Sequence, residues 1–275
     1  MPDSTGSPLT HRLALAALLT ATFAAPAGAQ VPQPVVATAP SQPEFLARYN
    51  FHLSAYELLH VDDAAQRFSW DTHFGASLDL VDYVGGRASV LIDYQAVLGS
   101  EFRPFDPNQG NYILEASASG RAGSTEIAGV FHHVSRHLSD RAKRPAVAWN
   151  AIGGRVLRRV LAGSSTVDVA LDLGRVVQHS FVDYTWIGGA ELQVRHDVTP
   201  HVGVFAHASG QWYGVDGTAP NRASQRAGMA EAGLRLTGPG AALELFAGVE
   251  RRIDAYPLDR VPRHWGLAGF RLLSR

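Results

Sequence analysis

The stretch FSWDTHFGASLDL, Phe68 to Leu80, alternates between two kinds of side chain. Phe68, Trp70, Phe74, Ala76, Leu78 and Leu80 fall on one face, and Asp71, His73, Ser77 and Asp79 on the other. A repeat of two is the signature of a strand, because successive Cβ atoms leave opposite sides of the backbone. The pattern recurs. Val90, Ile92 and Tyr94 oppose Asp93 and Gln95; Val167, Val169 and Leu171 oppose Asp168 and Asp172; Leu243, Leu245 and Val249 oppose Glu244 and Glu250.

About twelve such segments follow one another, each near the ~10 residues that a tilted membrane-spanning strand needs. They lie near residues 48–60, 67–82, 86–99, 110–120, 123–136, 146–160, 164–178, 182–197, 200–213, 226–237, 240–252 and 264–274. Their connections differ in length. Residues 84–86, 120–124, 163–165, 197–200 and 237–240 make short turns, whereas 99–111, 137–147, 214–226 and 251–263 make long ones. Short turns on one side and long loops on the other, with an even strand number, are the pattern of outer-membrane barrels. The fold class expected is therefore all-β, a transmembrane antiparallel β-barrel of about twelve strands, in the outer membrane of a Gram-negative bacterium. Its charged face would line the lumen and pair across it. Trp70, Trp149, Trp186, Trp212 and Trp265, near strand ends, suit interfacial girdles. A soluble sandwich or lipocalin-like barrel also alternates, but gives no reason for such asymmetric loops.

The 275-residue chain carries a formal net charge of -1, which gives no whole-chain attraction to nucleic acid. It has no cysteine, so neither a disulfide framework nor thiolate chemistry is available. His11 and Arg12 precede an apolar run from Leu13 to Ala25, and Ala27-Gly28-Ala29 follows. These are the three regions of a secretory signal peptide, residues 1–29. Residues 30–47 read as a Pro-rich periplasmic linker that joins no core, and residues 48–275 as the barrel.

The densest polar segment is FHHVSRHLSD, residues 131–140. It closes the fifth strand, which runs outward. If Glu126 points inward, so do Ala128, Val130, His132, Val134 and Arg136, and His133, Ser135 and His137 face lipid. On the sixth strand, inward Arg155 and Arg159 put Asn150 on the lipid side. His133, Ser135 and Asn150 then share one external patch. An imidazole beside a hydroxyl can take its proton and make it a nucleophile, and an amide oxygen can orient the imidazole as a carboxylate does. A metal site from His133, His137 and Asp140, or a polar rim with no turnover, remain open alternatives. A narrow channel or a purely structural barrel is the rival from another functional class.

The segment His133-Val134-Ser135, followed by Trp149-Asn150, resembles outer-membrane phospholipase A. That family has twelve-stranded barrels with a His-x-Ser-Asn-Gly segment on the outward face and a Trp-Asn pair on the next strand. The resemblance implies Ser135 as nucleophile, His133 as general base, Asn150 as its orienting group, a calcium ion near Asp140, and a dimer burying the lipid-facing site. Arg136 and His137 stand where the family has Asn-Gly. His137, Arg141, Lys143 and Arg144 are candidates for the oxyanion and for lipid or lipopolysaccharide headgroups, which arginine can grip with two bonds. The segment is also similar to that of lipid A 3-O-deacylases, and to an uncharacterised barrel family with His-x-Ser-Ser-His-Leu-Gly-Asp.

Overall fold

In a computed structural model, residues 36–139, 146–218 and 225–274 are described. Residues 1–29, read as a signal peptide, lie outside them, as do Asp140, Arg141, Lys143 and Arg144.

Twelve strands follow in chain order: β1 (Glu44–Leu59), β2 (Trp70–Asp82), β3 (Arg87–Gly99), β4 (Asp106–Ala122), β5 (Thr125–Leu138), β6 (Val147–Ala162), β7 (Ser165–Ser180), β8 (Tyr184–Asp197), β9 (Val202–Val215), β10 (Arg226–Thr237), β11 (Ala241–Arg252) and β12 (Arg263–Ser274). Each pairs antiparallel with its sequence neighbours, and β1 pairs with β12, so the sheet closes with no free edge. Closure matters in lipid, where an unpaired backbone edge has no water to satisfy it. At the tight β4–β5 and β6–β7 turns the chain needs a left-handed residue, and glycine supplies it: Gly123 has φ 61° and Gly163 has φ 62°.

The two faces sort as the alternation requires. Ile92, Ile127, Ile152, Leu173, Leu234 and Val249 point out and are exposed, forming the apolar belt of a membrane-spanning wall. This is a barrel of the outer-membrane type. Many of the strands' charged residues turn inward and pair. Arg155 binds Glu115 and Asp172, and Arg271 binds Glu231 at 2.7 Å and Glu244 at 2.8 Å. Asp93 receives His52 at 2.7 Å and His73 at 2.8 Å. A charge buried beside a partner keeps a counter-charge in place of water.

Five expectations need correction. The stretch read as a linker through residue 47 ends earlier, because β1 starts at Glu44, where Glu44 pairs with Asp82 and a bulge follows before Arg48. Nor does all of it stay clear of the core: Val36 is buried against Leu157 and Ala170 at the short-turn end, where the lumen is wide enough to take an apolar side chain. Trp149 and Trp265 are not girdle residues. Both point into the lumen and are buried, leaving Trp70, Trp186 and Trp212 on the outer wall. Phe68 precedes β2 and packs on Trp265 at 5.5 Å between ring centres, so it does not share the outward face of Trp70. The connection expected over 99–111 is shorter, since β4 already begins at Asp106.

The long-loop end is closed by its own chain. After β11, Ile253, Asp254 and Ala255 turn inward and are buried. Arg136 on β5 donates to the carbonyls of Asp254 at 2.6 Å and Ala255 at 3.0 Å, and to Gln109 at 2.9 Å. The Tyr184 hydroxyl donates to the Asp254 carboxylate. At the other end a cavity of about 300 Å³ remains, lined by Val36, Arg48, Arg87 and Arg271 among others.

Candidate active site

The patch is built by three adjacent strands. In the β5–β6 ladder His133 stands opposite Asn150, and Ser135 opposite Ala148. On β5, Glu126, Ala128 and Val134 are buried inward while Ile127, Phe131 and His137 are exposed. His133 and Ser135 therefore face out, half-buried. On β6, Trp149, Ala151, Arg155 and Leu157 are buried inward, which turns Asn150 outward beside His133. His132 faces the lumen, 3.5 Å from Glu115.

Facing pairs in an antiparallel ladder bring their Cβ atoms to roughly 5 Å, close enough for a ring and an amide to bond. The His133 Nδ1 and the Asn150 Oδ1 are 2.6 Å apart. An amide oxygen can only accept, so Nδ1 carries the proton, and Nε2 of the neutral ring keeps its lone pair. The Asn150 Nδ2 in turn donates to Gln178 Oε1 on β7 at 2.9 Å.

Ser135 makes its hydrogen bond elsewhere. Its Oγ lies 2.9 Å from Nε2 of His137, two residues on and on the same face. The sequence pointed to His133 as the serine's partner. In the structure the His133 ring is drawn to Asn150 and the hydroxyl turns towards the loop-side imidazole. A rotation about χ1 moves a serine oxygen between staggered wells, and His133 flanks Ser135 on its other side. His137 also presents an edge contact to Tyr112, ring centres 5.5 Å apart at 79°, and Tyr112 packs on Tyr94 at 5.1 Å. Tyr112 is the ladder partner of Ser135, so these rings form the apolar side of the patch.

Gln178 escaped the sequence reading because regular alternation along β7 would turn it inward. A register shift between Asn150 and Ala151 is responsible: Ala151 pairs with Val176, but Asn150 pairs with Gln178, leaving Val177 as the extra residue. The signal in the sequence is Val176-Val177, two β-branched residues in succession near the end of the strand.

Calcium prefers roughly six to eight oxygen ligands. Around Ser135 the described polar neighbours are His133, His137, Tyr112 and Asn150, a set rich in ring nitrogen, and among the described residues no cluster of acidic and histidine side chains could hold a metal ion. Asp140, the expected metal ligand, lies outside the described residues, as do Arg141, Lys143 and Arg144, the expected headgroup contacts. The described residues do not make a calcium cage.

No protein-family model matches the sequence, and no curated protein does. Solved structures match the fold. The outer membrane phospholipase A of Escherichia coli aligns over 82% of this chain and 90% of its own, with 15% identity and a TM-score of 0.50. A Salmonella typhi outer membrane phospholipase, a dimer with bound calcium, aligns over 82% and 90% with 14% identity and a TM-score of 0.50. An outer membrane channel from Pseudomonas putida F1 aligns over 82% and 94% with 12% identity and a TM-score of 0.51. At such identities the likeness establishes the outer-membrane barrel fold. An enzyme and a channel share it.

Proposed function

We propose that this chain is a serine ester hydrolase acting on lipid acyl esters in the outer leaflet. The observation that carries the reading is the His133–Asn150 bond of 2.6 Å on the lipid-facing wall, with Ser135 beside it on the same face. A bonded imidazole and amide facing hydrocarbon have little structural use, since hydrocarbon rewards neither. In the proposed reaction Ser135 Oγ attacks the ester carbonyl carbon and His133 Nε2 takes its proton. Asn150 keeps the ring in the tautomer that can do so. His137, 2.9 Å from the serine oxygen, lies within reach of the oxyanion that develops next to it. His133 then returns the proton to the leaving alcohol, and a water repeats the sequence on the acyl-enzyme.

Membrane phospholipids and the acyl esters of lipopolysaccharide share this chemistry, and each makes one arm of the test. The purified full chain in mixed micelles should release fatty acid from at least one of them. Ser135→Ala and His133→Ala should lose almost all activity. Asn150→Ala should retain a residue of it, since nucleophile and base remain. His137→Ala should slow turnover without abolishing it. Wild-type protein inert on both substrates, or His133→Ala as active as wild type, refutes the proposal. A narrow channel is the weaker reading, because ion pairs cross the lumen and the 253–255 segment folds into its long-loop end.

A further inference from the structure

An asparagine side chain is almost symmetric in shape, yet its two ends have opposite chemistry. If Asn150 offers oxygen, His133 carries its proton on Nδ1 and Nε2 is a base. If it offers the NH2 group, Nδ1 must accept, the proton moves to Nε2, and the ring cannot take a proton from serine there. The ladder position of Asn150 fixes where the amide sits but not which end points at His133.

On the third strand Gln178 Oε1 lies 2.9 Å from Asn150 Nδ2, and with Gln178 as the acceptor only Oδ1 is left for His133. The arrangement depends on the bulge in β7. Continuing the Ala151–Val176 register by one step would set Val177 opposite Asn150 and turn Gln178 to the lumen, opposite Trp149. With Val177 as the extra residue, Val177 and Gln178 both face out, and an acceptor stands beside the amide. Bulges re-aim side chains in this way at functional rims.

We propose that Gln178 is a positioning residue that sets the tautomer of His133 through Asn150. Its catalytic consequence rests on the hydrolase reading; its tautomeric consequence rests on the hydrogen bonds alone. Gln178→Glu keeps an acceptor at the position, one that cannot donate when ionised. Gln178→Met keeps the length and removes the acceptor.

The test uses the full chain in detergent micelles with 15N-labelled histidine, the His133 signals being assigned by their loss in His133→Ala. Wild type and Gln178→Glu should each give a protonated-type Nδ1 and an unprotonated-type Nε2 in the neutral ring. Gln178→Met should give shifts averaged between the two tautomers. In ester hydrolysis kcat should fall by about three- to tenfold in Gln178→Met with KM unchanged, the size of one neutral hydrogen bond, and recover in Gln178→Glu. Gln178→Met with the wild-type tautomer overturns the proposal, and so does Gln178→Glu behaving like Gln178→Met. If the wild type hydrolyses no ester, the hydrolase reading fails, while the nitrogen shifts still decide the role of Gln178.

Discussion

Replacing Arg155 by methionine removes a guanidinium that holds two acidic side chains inside the barrel. Its Nη2 donates to Glu115 at 2.8 Å, its Nη1 donates to the second oxygen of the same carboxylate, and its Nε donates to Asp172 at 2.5 Å. Arg155 and Glu115 are both more than nine-tenths buried. The substitution leaves two carboxylates near each other without their shared cation, with His132 at 3.5 Å from Glu115 as a partial substitute. Breaking a buried pair by removing one member typically costs about 3–5 kcal/mol, because the remaining charge is stranded. With a urea slope of roughly 2–3 kcal/mol/M, the unfolding midpoint should fall by roughly 1–2.5 M. Reversible urea unfolding in micelles, followed by tryptophan fluorescence, measures this. The double variant Arg155→Met, Glu115→Gln should recover part of the loss, since one stranded charge is then neutral. A single variant within ~1 kcal/mol of wild type would show that the lumen is wet enough to solvate both carboxylates, and the paired-lumen account would be wrong.

The same closed lumen predicts little steady conductance for the wild type in planar bilayers. Arg136→Ala, which removes the bonds from β5 to the carbonyls of Asp254 and Ala255 and to Gln109, should raise it; a large, steady wild-type conductance would contradict the closure. In the connection between β1 and β2, burial pushes the Asp63 carboxyl up, but the Arg67 side chain and backbone N–H pull it further down, so it lies below the usual aspartate range. A depressed folded value adds stability above the unfolded value and loses it as pH falls through the folded one. Asp63→Asn should therefore speed proteolytic clipping of residues 60–69 at neutral pH, with the difference closing in acid below that range; an equal difference at both pH values counts against the pairing.

The barrel was legible because period two is a backbone property that a membrane enforces on every strand: Asp79 and Glu244 had to face away from Leu80 and Leu245. The same parity, phased on Glu126 and Arg155, put His133, Ser135 and Asn150 on the outer wall. What parity cannot give is a rotamer or a break in itself. Ser135 has an imidazole on either side, and its hydroxyl bonds to His137. Gln178 was hidden because Val177 shifts the register of β7 by one. Trp149 and Trp265 were misread because a girdle argument uses nearness to a strand end and ignores the face, whereas both indoles fill the outer half of the lumen. Val36 was read as linker because composition gives no hint that a barrel mouth will accept it.

The central claim is that Ser135 is a nucleophile activated on the lipid-facing wall. A long-chain alkyl fluorophosphonate tests it directly, because the serine oxygen displaces fluoride to form a stable O–P bond while the imidazole takes the proton. Incubated with the full chain in micelles and digested, the account predicts one adduct, on the peptide containing Ser135, with labelling greatly slowed in His133→Ala and absent in Ser135→Ala. Protein that takes up no label, or that carries it at another serine while Ser135 stays free, would contradict the account.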